Sequence, residues 1–172
     1  MELANNVIPT AFFVTGGKAI GKVSELNTFD LALKEAGIEQ CNLVAVSSII
    51  PPDCKETKPR KLPIGAITYV VLSKADGQGE TVSAGIAWGK DENSGYGIVA
   101  EVYGRMDEAA TKKKLDAKVQ EMARIRNIKI GNVKYRIETI DVPKNYYGCA
   151  VAALVYLLVL SHQPADLSPR AC

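Results

Sequence analysis

The sequence predicts an α+β domain in which layered sheets are covered by helices. Strand-like apolar runs are grouped through the middle of the chain. One helical pattern precedes them and a second follows, and turn-forming residues separate neighbouring runs. The 172 residues suffice for one domain with a real core and rarely for two. With 47% hydrophobic and 23% charged residues, the balance is that of a soluble globular chain.

Ala11 to Val14 predicts a first strand, ended by Gly16-Gly17. Thr28 is a candidate helix N-cap. The helix is expected from Phe29 to Ala36, with Phe29, Ala32, Leu33 and Ala36 on one face and Gly37 as its stop. Asn42 to Val46 reads as a short strand that breaks at Ser47-Ser48-Ile49-Ile50-Pro51-Pro52. Asp53 to Pro63, polar and Pro-containing, is expected as a long loop. Gly65 to Leu72, Glu80 to Trp88 and Tyr96 to Tyr103 read as strands joined in antiparallel hairpins. Asp107 to Ile125 has the clearest amphipathic pattern, with Ala110, Leu115, Val119, Met122 and Ile125 as anchors. A strand near Lys134 to Asp141 follows. The apolar stretch Cys149 to Leu160 is too short to span a bilayer and reads as a buried helix or strand. Ser161 to Cys172 reads as a flexible tail, leaving 1–160 as the domain.

Several function classes are disfavoured. The net charge of +2 is spread along the chain, which argues against a nucleic-acid surface. Lys112-Lys113-Lys114, the densest basic run, falls on a helix and reads as a solvated face. Cys41, Cys54, Cys149 and Cys172 lack the spacing of a metal or redox site, and no secretory leader is evident, so they read as reduced thiols in the cytoplasm. No glycine-rich phosphate loop follows a strand. The single histidine, His162, lies in the terminal tail, so no His-based triad is available and no metal set is expected.

Ser47-Ser48, between an apolar strand and a Pro-Pro turn, is the unusual feature. Serine pairs are frequent in turns, and composition alone favours a simple strand end. Asn42-Leu43 followed by Ser47-Ser48-Ile49-Ile50-Pro51-Pro52, however, resembles the processing site of the pyruvoyl-dependent arginine decarboxylases. Leu26-Asn27-Thr28-Phe29-Asp30, Ala36-Gly37-Ile38, Lys61-Leu62-Pro63-Ile64-Gly65-Ala66, Gly79-Glu80-Thr81-Val82-Ser83-Ala84 and Gly148-Cys149-Ala150 are similar to further segments of that family. The likeness runs in order from Thr10 to Tyr156.

The resemblance implies a layered α/β/β/α sandwich with mainly antiparallel sheets. It implies self-cleavage of the Ser47–Ser48 bond into a 1–47 small chain and a 48–172 large chain, with Ser48 converted to a covalent pyruvoyl group. That group takes the place of pyridoxal phosphate in decarboxylating L-arginine to agmatine, a step toward polyamines. The resemblance further implies a homotrimer of processed protomers with sites at subunit contacts.

Asn42 matches the family's asparagine near the cleavage step, where its amide would donate to an oxyanion; capping a strand end accounts for it equally on sequence alone. Glu101 matches the catalytic glutamate. It is the lone carboxylate of an apolar strand, on one face with Val99 and Tyr103, and burial without a cation would raise its pKa; an edge-strand Glu facing water is the plain alternative. Asp30 matches the substrate-binding aspartate and would take the guanidinium through paired hydrogen bonds, although an Asp near a helix N-terminus is favourable in any case. A pyruvoyl decarboxylase of another amino acid, or an unprocessed oligomeric relative, are the competing expectations.

Overall fold

The structure, a computed structural model, describes residues 7–158. The chain folds as β1 (Ala11–Gly21), α1 (Glu25–Ala36), β2 (Asn42–Ala45), β3 (Ile49–Ile50), β4 (Lys55–Glu56), β5 (Ile67–Gly77), β6 (Thr81–Lys90), β7 (Gly97–Gly104), α2 (Glu108–Arg126), β8 (Lys134–Asp141) and β9 (Tyr147–Leu157). Two sheets form, one ordered β2-β5-β9-β1-β4 and the other β3-β7-β6-β8. Pairing is antiparallel except at the first sheet's two edges, where β4 runs parallel to β1 and β2 parallel to β5.

Alternation along β9 explains the layering. Cys149, Val151, Ala153, Val155 and Leu157 pack under α1 with Phe13, Ala32, Leu33 and Ile38. The intervening Ala152, Leu154 and Tyr156 face the second sheet and, with Phe12 and Val71 of their own sheet, meet Ile86, Trp88 and Val99 in the core between the sheets. On the second sheet's outer face, Ala100 and Val102 pack against Leu115 and Val119 of α2. The expected α/β/β/α sandwich is therefore present.

Several boundaries differ from the sequence reading. β1 does not end at Gly16-Gly17 but continues to Gly21. The glycines are there because helix and side chains come close: a Cβ on Gly17 would run into the Ala32 carbonyl oxygen, and one on Gly16 would lie 2.8 Å from Arg136 Nε. α1 starts a turn earlier than expected. Ser24 is the N-cap, accepting from the Asn27 N–H, and the Thr28 hydroxyl instead donates to the Ser24 carbonyl at 2.8 Å. Gly37 ends the helix at φ 73°.

The Asp53–Pro63 loop contains the short strand β4, which adds to β1. The β5–β6 connection is not a hairpin, because β5 belongs to the first sheet and β6 to the second; β6–β7 is a true antiparallel hairpin. In α2, Thr111, Leu115 and Val119 are the buried positions and Met122 packs partly, whereas Ile125 is 65% exposed. The Cys149–Leu160 run resolves as strand β9 through Leu157. Among the described residues, no helix is long and apolar enough to cross a membrane. His162, Cys172 and the tail from Ser161 lie outside the described residues.

Candidate active site

The two serines lie where the chain leaves one sheet for the other. β2 runs parallel to β5, and the Val46 N–H still donates to the Val70 carbonyl at 3.0 Å, so the first sheet holds the chain up to Val46. At Ser48 the chain is already held by the second sheet, since the Val99 N–H of β7 donates to the Ser48 carbonyl at 3.0 Å. β3 then pairs Ile49 with Ile98 and Ile50 with Gly97. Ile50 is fully buried and anchors the downstream side. Ser47 spans the gap and is exposed.

A tight turn centred on Ser48 results. The Ile49 N–H donates back to the Ser47 carbonyl at 3.1 Å, a three-residue closure around Ser48. That carbonyl belongs to the Ser47–Ser48 peptide bond, so the bond already carries a hydrogen-bond donor on its oxygen.

Glu101 sits on β7 two residues beyond Val99, on the strand face that looks into the gap between the sheets. The Ser48 hydroxyl lies close enough to its carboxyl to favour the charged form. Burial pushes the Glu101 carboxyl above the usual range. The nearby Lys118 ammonium and the Ser48 hydroxyl pull it partly back. The expectation of burial without a cation is thus corrected: Lys118, reaching from α2, donates to the Glu101 backbone carbonyl at 2.8 Å and sets its charge beside the carboxyl. Tyr103, on the same strand face, is 63% exposed.

The other two candidates lie apart from this cluster within one chain. Asn42 begins β2, five residues before Ser47, a separation of roughly 16 Å in extended chain. Its Nδ2 donates to the Gly65 carbonyl at 2.9 Å, which ties β2 to the loop before β5. The donor that reaches the Ser47 carbonyl is a backbone amide instead. Asp30 is exposed on α1, which packs on β1 and β9 across the first sheet from Ser48.

A cavity of about 320 Å³ opens beside the scissile bond, lined by Val46, Ser47, Ile49, Tyr69 and Tyr156. A larger one, about 560 Å³, lies near Trp88, Lys90 and Glu56 and holds none of the candidate residues. There Glu56 is already satisfied by Trp88 Nε1 at 3.2 Å and Lys134 Nζ at 2.9 Å.

The sequence model of a family described as pyruvoyl-dependent arginine decarboxylase matches residues 11–159. The chain belongs to that family. A pyruvoyl-dependent arginine decarboxylase of Methanopyrus kandleri is 37% identical over 150 residues, covering 87% of this chain and 97% of the relative. One from Methanocaldococcus jannaschii is 37% identical over 155 residues, covering 85% and 88%. A third, from Archaeoglobus fulgidus, is 36% identical over 158 residues, covering 86% and 95%.

In pyruvoyl-dependent arginine decarboxylases the cofactor is made from the chain itself, so the test of fit is local. Ser48 is half-buried, its carbonyl is fixed by the Val99 N–H, and its hydroxyl meets a carboxyl with a raised pKa. These features fit the group. Sequence reasoning missed the two backbone donors, which carry no side-chain signature, and it missed Tyr156. One signal pointed to Tyr156: it is the only polar side chain between Ala150 and Leu160, and a buried tyrosine hydroxyl needs a partner.

Proposed function

We propose that this chain cleaves itself between Ser47 and Ser48 and then decarboxylates L-arginine to agmatine and carbon dioxide. The observation that carries the reading is that Ser48 neighbours the Glu101 carboxyl at a peptide whose Ser47 carbonyl already accepts from the Ile49 N–H.

For self-cleavage, the Ser48 Oγ bonds to the Ser47 carbonyl carbon. Its proton passes by way of Glu101 to the Ser48 nitrogen, and the carbon–nitrogen bond breaks to leave an ester. The Ile49 N–H stabilises the negative oxygen formed on the way. Loss of the Ser48 Hα as a proton and of the Ser47 carboxylate from Cβ leaves dehydroalanine. Water then replaces its nitrogen, releasing ammonia.

Once formed, the pyruvoyl group supplies a ketone that joins the substrate amine and an adjacent amide carbonyl that takes up electrons as carbon dioxide leaves. The Val99 N–H holds that amide oxygen, the former Ser48 carbonyl. Glu101, whose neutral form burial favours, delivers the proton to the substrate α-carbon.

Asp30 takes the guanidinium and Asn42 assists cleavage from neighbouring subunits of a homotrimer. Their distance from Ser48 within one chain supports this arrangement. So does exposed apolar surface at Val44, Ile49 and Ile67, on or beside the β2 edge. The small chain 1–47 and large chain 48–172 stay together as one domain. Among the described residues, Cys41, Cys54 and Cys149 form no disulfide with one another, which fits a reducing cytoplasm.

The test is Ser48→Ala, assayed by denaturing electrophoresis and by carbon dioxide release from arginine. It is expected to give one uncut, folded and inactive chain. A Ser48→Ala protein that still splits contradicts the proposal.

A further inference from the structure

We infer that Tyr156 is a positioning residue for this chemistry: its hydroxyl reaches across the core and fixes the peptide that follows Ser48. The inference rests on the self-cleaving reading above.

β3 is only two residues long, lies at a sheet edge and runs into Pro51, which has no N–H to donate. In its antiparallel pairing with β7, the Val99 N–H bonds the Ser48 carbonyl, and backbone groups alternate in direction along a strand. The N–H and C=O of Ile49 therefore point away from β7. The N–H turns back to the Ser47 carbonyl. The C=O is met by the Tyr156 hydroxyl at 2.7 Å, from β9 in the other sheet. Tyr156 is 4% exposed, and its ring lies in the core between the sheets.

The link matters in both stages. Before cleavage, the Ile49 N–H must stay aimed at the Ser47 carbonyl, and the neighbouring carbonyl of the same residue is what Tyr156 holds. After cleavage, residue 48 becomes a chain end on a two-residue edge strand, the kind of segment that frays. The Tyr156 bond then ties that end to the first sheet, while Val99 ties it to the second, keeping residue 48 against Glu101. Burial pushes the Tyr156 phenol well above its ordinary range, so the hydroxyl keeps its proton and stays a donor throughout the working pH range. Its role adds no ionisation to the pH profile.

The experiment compares the parent protein, Tyr156→Phe and Val71→Ala at a temperature below all three unfolding transitions. Val71→Ala thins the same core from β5 and leaves the donor intact. Each protein is followed for the rate of self-cleavage, for kcat and KM of its processed fraction, and for the shape of kcat against pH. Tyr156→Phe should slow self-cleavage and lower kcat, each by about tenfold or more, since small misplacements of reacting groups cost that much. KM should stay within about twofold and the pH profile should keep its shape. Val71→Ala should cleave and turn over close to the parent. Tyr156→Phe at parental rates overturns the inference, and so does a Val71→Ala defect of equal size, which would reduce the effect to stability. A parent that stays uncut overturns the self-cleaving reading and this inference with it, whereas a cut parent with an unaffected Tyr156→Phe overturns this inference alone.

Discussion

At the residue scale, the proposed proton delivery by Glu101 needs a carboxyl whose neutral form is favoured, and its surroundings act in opposing directions on that balance. Burial is the largest influence and raises its pKa, while Lys118 and the Ser48 hydroxyl lower it. Conversion of Ser48 removes its hydroxyl, so Glu101 should hold its proton more tightly in the processed enzyme than in the precursor. Turnover that needs protonated Glu101 is full below its pKa and falls as pH rises through it. Lys118→Met removes a cation that favours the charged form, so the alkaline limb of kcat should move to higher pH. Because Lys118 is exposed, the difference between the two proteins should shrink as salt is added. Profiles of kcat against pH at two ionic strengths check this, and an alkaline limb that stays in place in Lys118→Met contradicts it.

At the element scale, the site depends on where β3 lies against β7. A Cβ on Gly97 would come 2.7 Å from the Gly89 carbonyl oxygen and 3.2 Å from the Ile50 side chain. Gly97→Val should therefore displace β3, cost about 1–3 kcal/mol of stability and slow self-cleavage. Thermal unfolding and the time course of splitting measure the two effects. The elements themselves were largely legible in the sequence. β8 and α2 carry clear periodicities and turn signals, and their observed limits follow them closely. Gly16-Gly17 misled because glycine signals close approach as readily as a strand end, and only the packing of α1 and the side chains of β8 distinguishes the two. The β5–β6 turn misled because local sequence does not specify which sheet receives the next strand. At the site, the family likeness pointed to Ser48 and Glu101, and the structure makes those two residues neighbours. The Ile49 and Val99 amides were not, because any residue type supplies a backbone N–H.

At the scale of the whole molecule, one chain brings Ser48 and Glu101 together and leaves Asp30 and Asn42 elsewhere. If neighbours complete the site, two defective chains should repair each other. Ser48→Ala supplies Asp30 but no pyruvoyl group, and Asp30→Ala supplies the group but no guanidinium partner. Mixed by co-expression, they should recover part of the parental activity, while separately purified proteins should show little; no recovery in confirmed mixed assemblies contradicts sharing between subunits. The small chain would carry β1, α1 and β2, and β1 pairs with β9 along its full length, so the halves should co-elute under native conditions after the cut. The central claim is that the chain makes its own electrophile at residue 48. Mass spectrometry of the purified protein, before and after borohydride, tests this most directly. The account predicts two chains meeting at the Ser47–Ser48 junction, the larger beginning with a ketone that takes up two hydrogens on reduction. A single intact polypeptide, inert to borohydride, in a preparation that still releases carbon dioxide from arginine would contradict it.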